Sequence, residues 1–383
     1  MTGLSQEQRL LTQTVARLLE DHAGRTAPTV GGYGSPSPEL WREFARLGLL
    51  GLPFGEEYGG AGLGLPEIAV VARAMGMVAA TEPFVANIVL GGGLLAALGD
   101  DTARRTLLPR LSDGSLRVSF AHAEPHSRFN LAHVETQARP ASGGFILNGR
   151  KTLVLDGGRS DLILVSARTG CGSGDHQGIS VFGVRPDAAG VTVTPYMTVD
   201  GREAADVGLD EVLVGESDLV GPQGRAFPAI ERVMDEAIIA LCAEADGAIR
   251  RMNGDTLDYC RTRMAFGQPI SKFQAIQHKL VDMEIASQHV GAITWAAALE
   301  AAAAARRRAM MASAAKAVIA REGMFVAKSA VQLHGAIGTT EDLPLGRLFK
   351  RIMANATLFG GADPHQRRYY RLRRGGEPME SAS

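Results

Sequence analysis

FILNGRKTLVL, from Phe145 to Leu155, is where the chain changes period. Side chains around Asn148-Gly149 alternate, which is the pattern of a strand with one buried face. Asn-Gly is also a pair that favours a tight hairpin, so a turn is expected there. Working outward, DLILVSA (Asp161–Ala167), GISVFGV (Gly178–Val184) and GVTVTPY (Gly190–Tyr196) read as further strands, punctuated by Gly, Pro and Asp. Residues 117–225 are therefore expected to form a small antiparallel β-domain, a barrel or a sandwich.

On both sides the period returns to that of a helix. Apolar residues recur three or four apart in LLTQTVARLLEDH (Leu10–His22), ELWREFARLGLLGL (Glu39–Leu52) and LPEIAVVARAMGMVA (Leu65–Ala79). Residues 1–116 read as an α-helical domain, with TVGGYGSPSP (Thr29–Pro38) as a surface loop. Residues 226–383 read as an Ala-rich bundle of long antiparallel helices, in which ITWAAALEAAAAARRRAMMASAAKAVIA (Ile293–Ala320) has high helix propensity. The fold class is thus α+β and multidomain, in the order helices, strands, helices.

Composition limits the function. A chain of 383 residues carries two or three domains. A formal net charge of −1 argues against nucleic acid as the main partner. The three cysteines, Cys171, Cys242 and Cys260, have no metal-ligand spacing, so no metal site and no disulfide framework is expected. The charged N-terminal stretch and the lack of about 20 uninterrupted apolar residues predict a cytoplasmic protein without a membrane span.

Five motifs in order give a resemblance. They are LPFGEEYGGAGLGLPE (Leu52–Glu67), AHAEP (Ala121–Pro125), LNGRKTLVLDGG (Leu147–Gly158), RTRMAFGQPISKFQAIQHKLVDM (Arg261–Met283) and QLHGAIGTTEDLPLGRLFKR (Gln332–Arg351). Together with the α–β–α order they resemble the acyl-CoA dehydrogenases. AIIALCAEADGAI (Ala237–Ile249) and LFGGADPHQRR (Leu358–Arg368) resemble that family's pimeloyl-CoA dehydrogenase small-subunit type. The resemblance implies an N-terminal helical domain, a middle antiparallel β-barrel and a C-terminal helical bundle. It also implies FAD as cofactor, an acyl-CoA thioester as substrate and an electron-transfer flavoprotein as electron acceptor. The assembly it implies is a homo- or hetero-oligomer, a dimer of dimers, acting in fatty acid metabolism.

By the same resemblance Arg263, Phe266, Gln274, Gln332 and Gly335 touch FAD, reaching across a subunit interface. A guanidinium such as that of Arg263 is a planar, always-charged fork suited to a pyrophosphate; a surface ion pair is its plainer role. Ala336 replaces the second Gly of the usual pair. At the flavin-ring positions the chain carries Ala123, Leu153 and Leu155, where the family pattern has a hydroxyl, an aromatic ring and a second hydroxyl. His126 and Arg128, close to His122, are candidates for contact with the CoA phosphates or an acyl carboxylate, and polar loop positions otherwise. Arg367, Arg368, Arg371, Arg373 and Arg374 form a basic tail whose plainer role is a solvated helix end.

Removing an α-proton from a thioester calls for a positioned carboxylate. The family places it in one of two positions, here Gly360 and Ala237. Two acids remain as candidate bases. Asp363 lies in the same loop as Gly360. Glu244 falls on the apolar stripe of Val233, Ala237, Leu241 and Ala248, where a carboxylate must be paired, protonated or functional. An ion pair with an Arg or Lys of the bundle is the plainer alternative for Glu244. The expectation is an acyl-CoA dehydrogenase-like oxidoreductase forming an α,β-unsaturated acyl-CoA, as one subunit of a heteromeric enzyme if a paralogue supplies the base. The alternatives are a non-catalytic subunit completing a paralogue's FAD site, and a flavin-dependent oxygenase on the same fold.

Overall fold

The computed structural model describes residues 4–23, 36–340 and 343–375, so the surface loop expected over Thr29–Pro38 lies largely outside the described residues. The elements follow the expected order. First come helices α1 (Gln6–Ala23), α2 (Pro38–Arg46), α3 (Leu65–Val78), α4 (Gly93–Leu98) and α5 (Asp101–Ser112). Strands follow: β1 (Val118–Ala121), β2 (Gln137–Ala141), β3 (Gly144–Leu155), β4 (Leu162–Arg168), β5 (Ile179–Val184), β6 (Val191–Met197), β7 (Glu203–Gly215) and β8 (Leu219–Val220). The long helix α6 (Phe227–Thr262) leads into a two-stranded hairpin, β9 (Met264–Ala265) and β10 (Gln268–Pro269). Helices α7 (Gln274–Leu299), α8 (Ala305–Val318), α9 (Met324–His334), α10 (Leu345–Thr357) and α11 (Ala362–Arg373) complete the chain.

Packing gathers these elements into two compact units that cut across element type. One holds Met1–Gly34, Leu65–Thr81 and Ile238–Ser383; the other holds Ser35–Gly64 and Glu82–Ala237. No helix among the described residues is long and apolar enough to cross a membrane.

In the second unit the sheet runs β6-β7-β3-β2-β4-β5-β8, with β1 paired to β4. Most pairs are antiparallel, but β1 lies parallel to β4 and β2 meets β4 in parallel at Gln137 and Arg168. The sheet is therefore mixed where an antiparallel one was expected. The reason is the long excursion between β1 and β4, since parallel neighbours need a crossover rather than a tight turn. Phe145, Leu147, Val154, Ile163, Phe182, Val207 and Val212 fill its core.

The hairpin expected at Asn148-Gly149 is not there. Strand β3 continues through both residues, and the tight turn lies before Gly144, between β2 and β3. Instead Asn148 faces a bulge in β7, where Asp210 and Glu211 stand opposite it at the register shift between Leu147 and Gly149. The Asn148 side chain holds the bulge by donating to Glu211 Oε1 at 2.7 Å and accepting from the Glu211 amide at 3.0 Å. Bulges bend a strand and re-aim its side chains.

In the first unit α3 and the residues of α6 from 238 onward cross with backbones in contact. A Cβ on Gly76 would stand 1.8 Å from the Glu244 carbonyl oxygen, and one on Gly247 would stand 1.9 Å from that of Arg73. Only glycine allows so close an approach. The Ala-rich stretch is not one helix: α7 ends at Leu299 and α8 begins at Ala305. The chain reverses there so that the two helices pack antiparallel, a tertiary demand that overrides alanine's propensity.

Candidate functional site

In the sheet unit, residues 122–136 leave β1 as a strap closed by a buried polar cluster. The Glu124 carboxylate accepts from Lys151 Nζ at 2.6 Å, from the amides of Glu135 and Thr136 at 2.6 and 3.0 Å, and from Thr136 Oγ1 at 2.6 Å. Burial pushes this carboxyl up, but Lys151 and the hydrogen bonds outweigh it and hold it below the usual range. Burial pulls Lys151 down to about 8 against the opposing effect of Glu124. His122 is buried, with Nδ1 2.9 Å from Ser166 Oγ and Nε2 3.0 Å from the Leu131 carbonyl. Burial, then the Lys151 charge, lowers it to about 3. His122 thus serves the strap from inside and does not join His126 and Arg128, which are exposed.

Arg168 ties the strap to the following loop. Its guanidinium donates to the carbonyls of Ala132, Ser173, Asp175 and Gln177 at 2.6–2.9 Å. At the strap's tip Arg128 and Phe129 both have positive φ, +41° and +68°. The positions assigned by resemblance to the flavin ring lie near the strap's base. Ala123 is half-buried, its carbonyl taken by the Thr152 amide at 2.8 Å; Leu153 is exposed at φ +53°; Leu155 is buried. None of the three side chains donates or accepts a hydrogen bond.

Beside Leu155 sits an acid that sequence reasoning passed over. Asp156 is buried at φ +57°, accepts from Asn87 Nδ2 at 2.8 Å and lies 3.8 Å from Arg117. Asn87, carried on the π-helical segment Val85–Gly92, in turn accepts from the Val118 amide at 2.8 Å. Burial raises Asp156 from 3.8 to about 6, opposed mainly by Arg117 and Asn87. The folded state then holds more protons than the unfolded one between those values, so this group makes stability fall as pH rises from about 4 to about 6. Asp156→Asn is expected to raise the neutral-pH Tm and to flatten the Tm–pH curve across that window, by an amount on the order of 2 kcal/mol. Parallel slopes for the two proteins in pH-dependent thermal melts would rule this out.

The other candidate ligands belong to the helical unit. Arg263 follows the end of α6, and Phe266 is the tip of the β9–β10 hairpin, 96% exposed. Gln274 opens α7, Gln332 lies in the last turn of α9, and Gly335 ends that helix at φ +67°. All five are exposed. The ring of Phe266 meets that of Phe273 edge-on with centroids 6.2 Å apart, which ties the hairpin tip to the start of α7. A guanidinium, two amides, an aromatic face and a bare backbone turn are donors and surfaces that fit the adenosine diphosphate half of FAD. Ala123, Leu153 and Leu155 supply no equivalent set for its ring.

The two candidate bases stand in different surroundings. Glu244 is buried and paired with Arg351, whose guanidinium also donates to the Ala80 carbonyl at 2.6 Å. This is the ion-pair role weighed above. Arg351 was the residue the sequence reading missed, although a cation on the buried face of α10 between Leu348 and Ile352 is a visible signal. Asp363 is exposed in the first turn of α11, where a helix dipole favours an acid for structural reasons. The loop before it is set by His365, whose Nε2 lies 3.0 Å from the Phe359 carbonyl, and burial lowers that imidazole to about 4. Phe359 and Gly360 turn at φ +59° and +108°. Position 360 thus lacks a side chain and has a backbone that disfavours one. Position 237 is an alanine in the interior of α6. Among the described residues no three His, Cys, Asp or Glu side chains group as metal ligands.

Comparison with known proteins covers nearly the whole chain. Residues 5–115 match the family model for the acyl-CoA dehydrogenase N-terminal domain, 119–212 that for the middle domain, and 224–370 that for the C-terminal domain. The probable acyl-CoA dehydrogenase YngJ of Bacillus subtilis is 28% identical over 356 residues, covering 91% of this chain and 92% of its own. Among solved structures, the steroid ACAD Tcur3481-Tcur3483 aligns with a TM-score of 0.85 at 29% identity, over 97% of this chain and 98% of its own. The ChsE4-ChsE5 complex from Mycobacterium tuberculosis aligns with a TM-score of 0.84 at 24% identity, over 98% and 99%.

Proposed function

Because the chain belongs to the acyl-CoA dehydrogenase family, we propose that it is an FAD-dependent acyl-CoA dehydrogenase subunit that works with a paralogous chain. The observation that carries this reading is the loop at Gly360. It has no side chain where the family's carboxylate is expected, and the nearest acid, Asp363, points into solvent from a helix start. Glu244 is engaged by Arg351 and serves the packing of the helical unit rather than proton removal. Arg263, Phe266, Gln274, Gln332 and Gly335 are all exposed, as residues reaching a cofactor in a neighbouring subunit would be.

In this reading Arg263 and the two glutamines hold the pyrophosphate and adenosine end of FAD, and Phe266 covers it. His126 and Arg128 at the strap's tip meet the acyl-CoA. Flavin, when bound, would supply the acceptor for the hydride of the β-carbon, with an electron-transfer flavoprotein as the acceptor that the family resemblance implies. The paralogue supplies the carboxylate for the α-proton. The paired names of two similar solved structures, Tcur3481-Tcur3483 and ChsE4-ChsE5, support a two-chain assembly. The lack of hydroxyls at Ala123 and Leu155 favours a variant of this reading, in which the chain is a non-catalytic subunit completing a paralogue's site.

Flavin per chain and anaerobic bleaching by acyl-CoA, measured for the chain alone and after co-expression with a base-bearing paralogue, test the proposal. The chain alone is expected to bleach at least about 10²-fold more slowly than the pair, the usual worth of a positioned base. Turnover by the chain alone at about 1 s⁻¹ or faster, an ordinary enzyme rate, would refute it.

A further inference from the structure

Helix α9 ends at His334, where the last carbonyls of a helix have no partner within it. Tyr259, one turn before the end of α6, supplies one. Its hydroxyl donates to the His334 carbonyl at 3.2 Å, and its ring stacks on the His334 imidazole with centroids 4.3 Å apart and planes at 22°. The imidazole is held from its other side, with Nδ1 2.9 Å from the Ala330 carbonyl. A carbonyl only accepts, so Nδ1 carries the proton.

Each partner of this stack is next to a group of candidate ligands. The Arg263 amide donates to the Tyr259 carbonyl at 2.8 Å, and the Arg263 carbonyl accepts from the Ile270 amide at 2.8 Å, which closes the hairpin bearing Phe266. His334 stands between Gln332 and Gly335, and its backbone is where α9 gives way to the turn. One ring pair therefore sets the spacing between the Arg263–Phe266 segment and the Gln332–Gly335 segment. We propose that Tyr259, through its stack on His334, is a positioning residue for the adenosine diphosphate half of the cofactor, and thereby determines binding of FAD over FMN. This rests on the cofactor reading above.

Two variants separate the contributions: Tyr259→Phe keeps the ring and loses the hydroxyl, whereas Tyr259→Leu loses both. The first measurement uses no cofactor. In amide hydrogen exchange on the full chain, Tyr259→Leu should speed exchange in residues 264–270 and 333–338 together, leaving α1 at wild-type rates. Wild-type rates in either segment would overturn the positioning contact. The second measurement is fluorescence titration of the complete assembly with FAD and with FMN. Tyr259→Leu should weaken FAD about tenfold and leave FMN unchanged, and Tyr259→Phe should stay within about threefold of wild type, as expected for losing one neutral hydrogen bond. Parallel losses for FAD and FMN would mark a merely structural role, and unchanged FAD affinity would also overturn the proposal. A wild-type assembly that takes up no FAD would sink the cofactor reading and the FAD-selecting role with it, while the exchange measurement would still decide the contact.

Discussion

Arg351→Met is expected to destabilise the protein by about 3–5 kcal/mol, the usual cost of stranding one partner of a buried ion pair. The substitution removes the guanidinium that pairs with the Glu244 carboxylate and donates to the Ala80 carbonyl, both inside the helical unit. The backbones of α3 and α6 pass in contact here, where Gly76 meets the Glu244 carbonyl and Gly247 meets that of Arg73. A second ion pair flanks the crossing, Arg73 to Asp246 at 3.2 Å, with Arg250 at 2.9 Å on the same carboxylate. Substituting Glu244→Leu in the Arg351→Met background should recover most of the stability, because an apolar pair of similar volume removes the stranded charge. Urea denaturation measures both. If Arg351→Met costs less than about 1 kcal/mol, the pair does not organise this unit. Glu244→Gln carries the matching functional test: in the two-chain assembly it should lower Tm without slowing the bleaching of flavin by acyl-CoA.

Lys151→Met should have the next largest effect, about 3 kcal/mol, with the loss centred on the strap. Lys151 is fully buried, 2.6 Å from Glu124 and 3.1 Å from Ser166 Oγ. Without it Glu124 keeps three donors, from Glu135 and Thr136, which is why the expected cost stays at the lower end. The strap carries His126 and Arg128, so limited proteolysis between residues 125 and 135 should speed up along with the drop in Tm. The pH dependence has a definite sign. Lys151 binds its proton less tightly folded, at about 8, than at its ordinary 10.5. The wild type therefore gains stability from this group as pH rises from about 8 to about 10, and Lys151→Met should lose that gain. An unchanged cleavage pattern, or a wild-type slope in that window, would show that the strap is held by other contacts.

What the sequence determined by itself was local or repetitive. The switch from a helical period to a period of two and back identified helices, strands and helices in the right order, because periodicity records which face each element buries. The strands at Leu162–Arg168, Ile179–Val184 and Val191–Met197 were all legible in this way. The five quoted motifs were enough to bring the family into view, and all three of its domain models match. The empty position at Gly360 was also visible as a letter in the chain.

Only the tertiary structure decided the rest. Asn148-Gly149 has hairpin composition, but β7 pairs along β3 on both sides of it, so the pair stays within the strand and faces a bulge in β7. Whether β1 would lie parallel to β4 depended on a crossover of 40 residues, 122–161, rather than on any one segment. That Glu244 on its apolar face needs a partner is legible in the sequence, but the partner itself, Arg351, lies 107 residues away. Asp156 with Asn87, and Tyr259 with His334, are likewise pairs 69 and 75 residues apart. A side chain's partner across such a distance is chosen by how the backbones pack, and no single-sequence pattern encodes that choice.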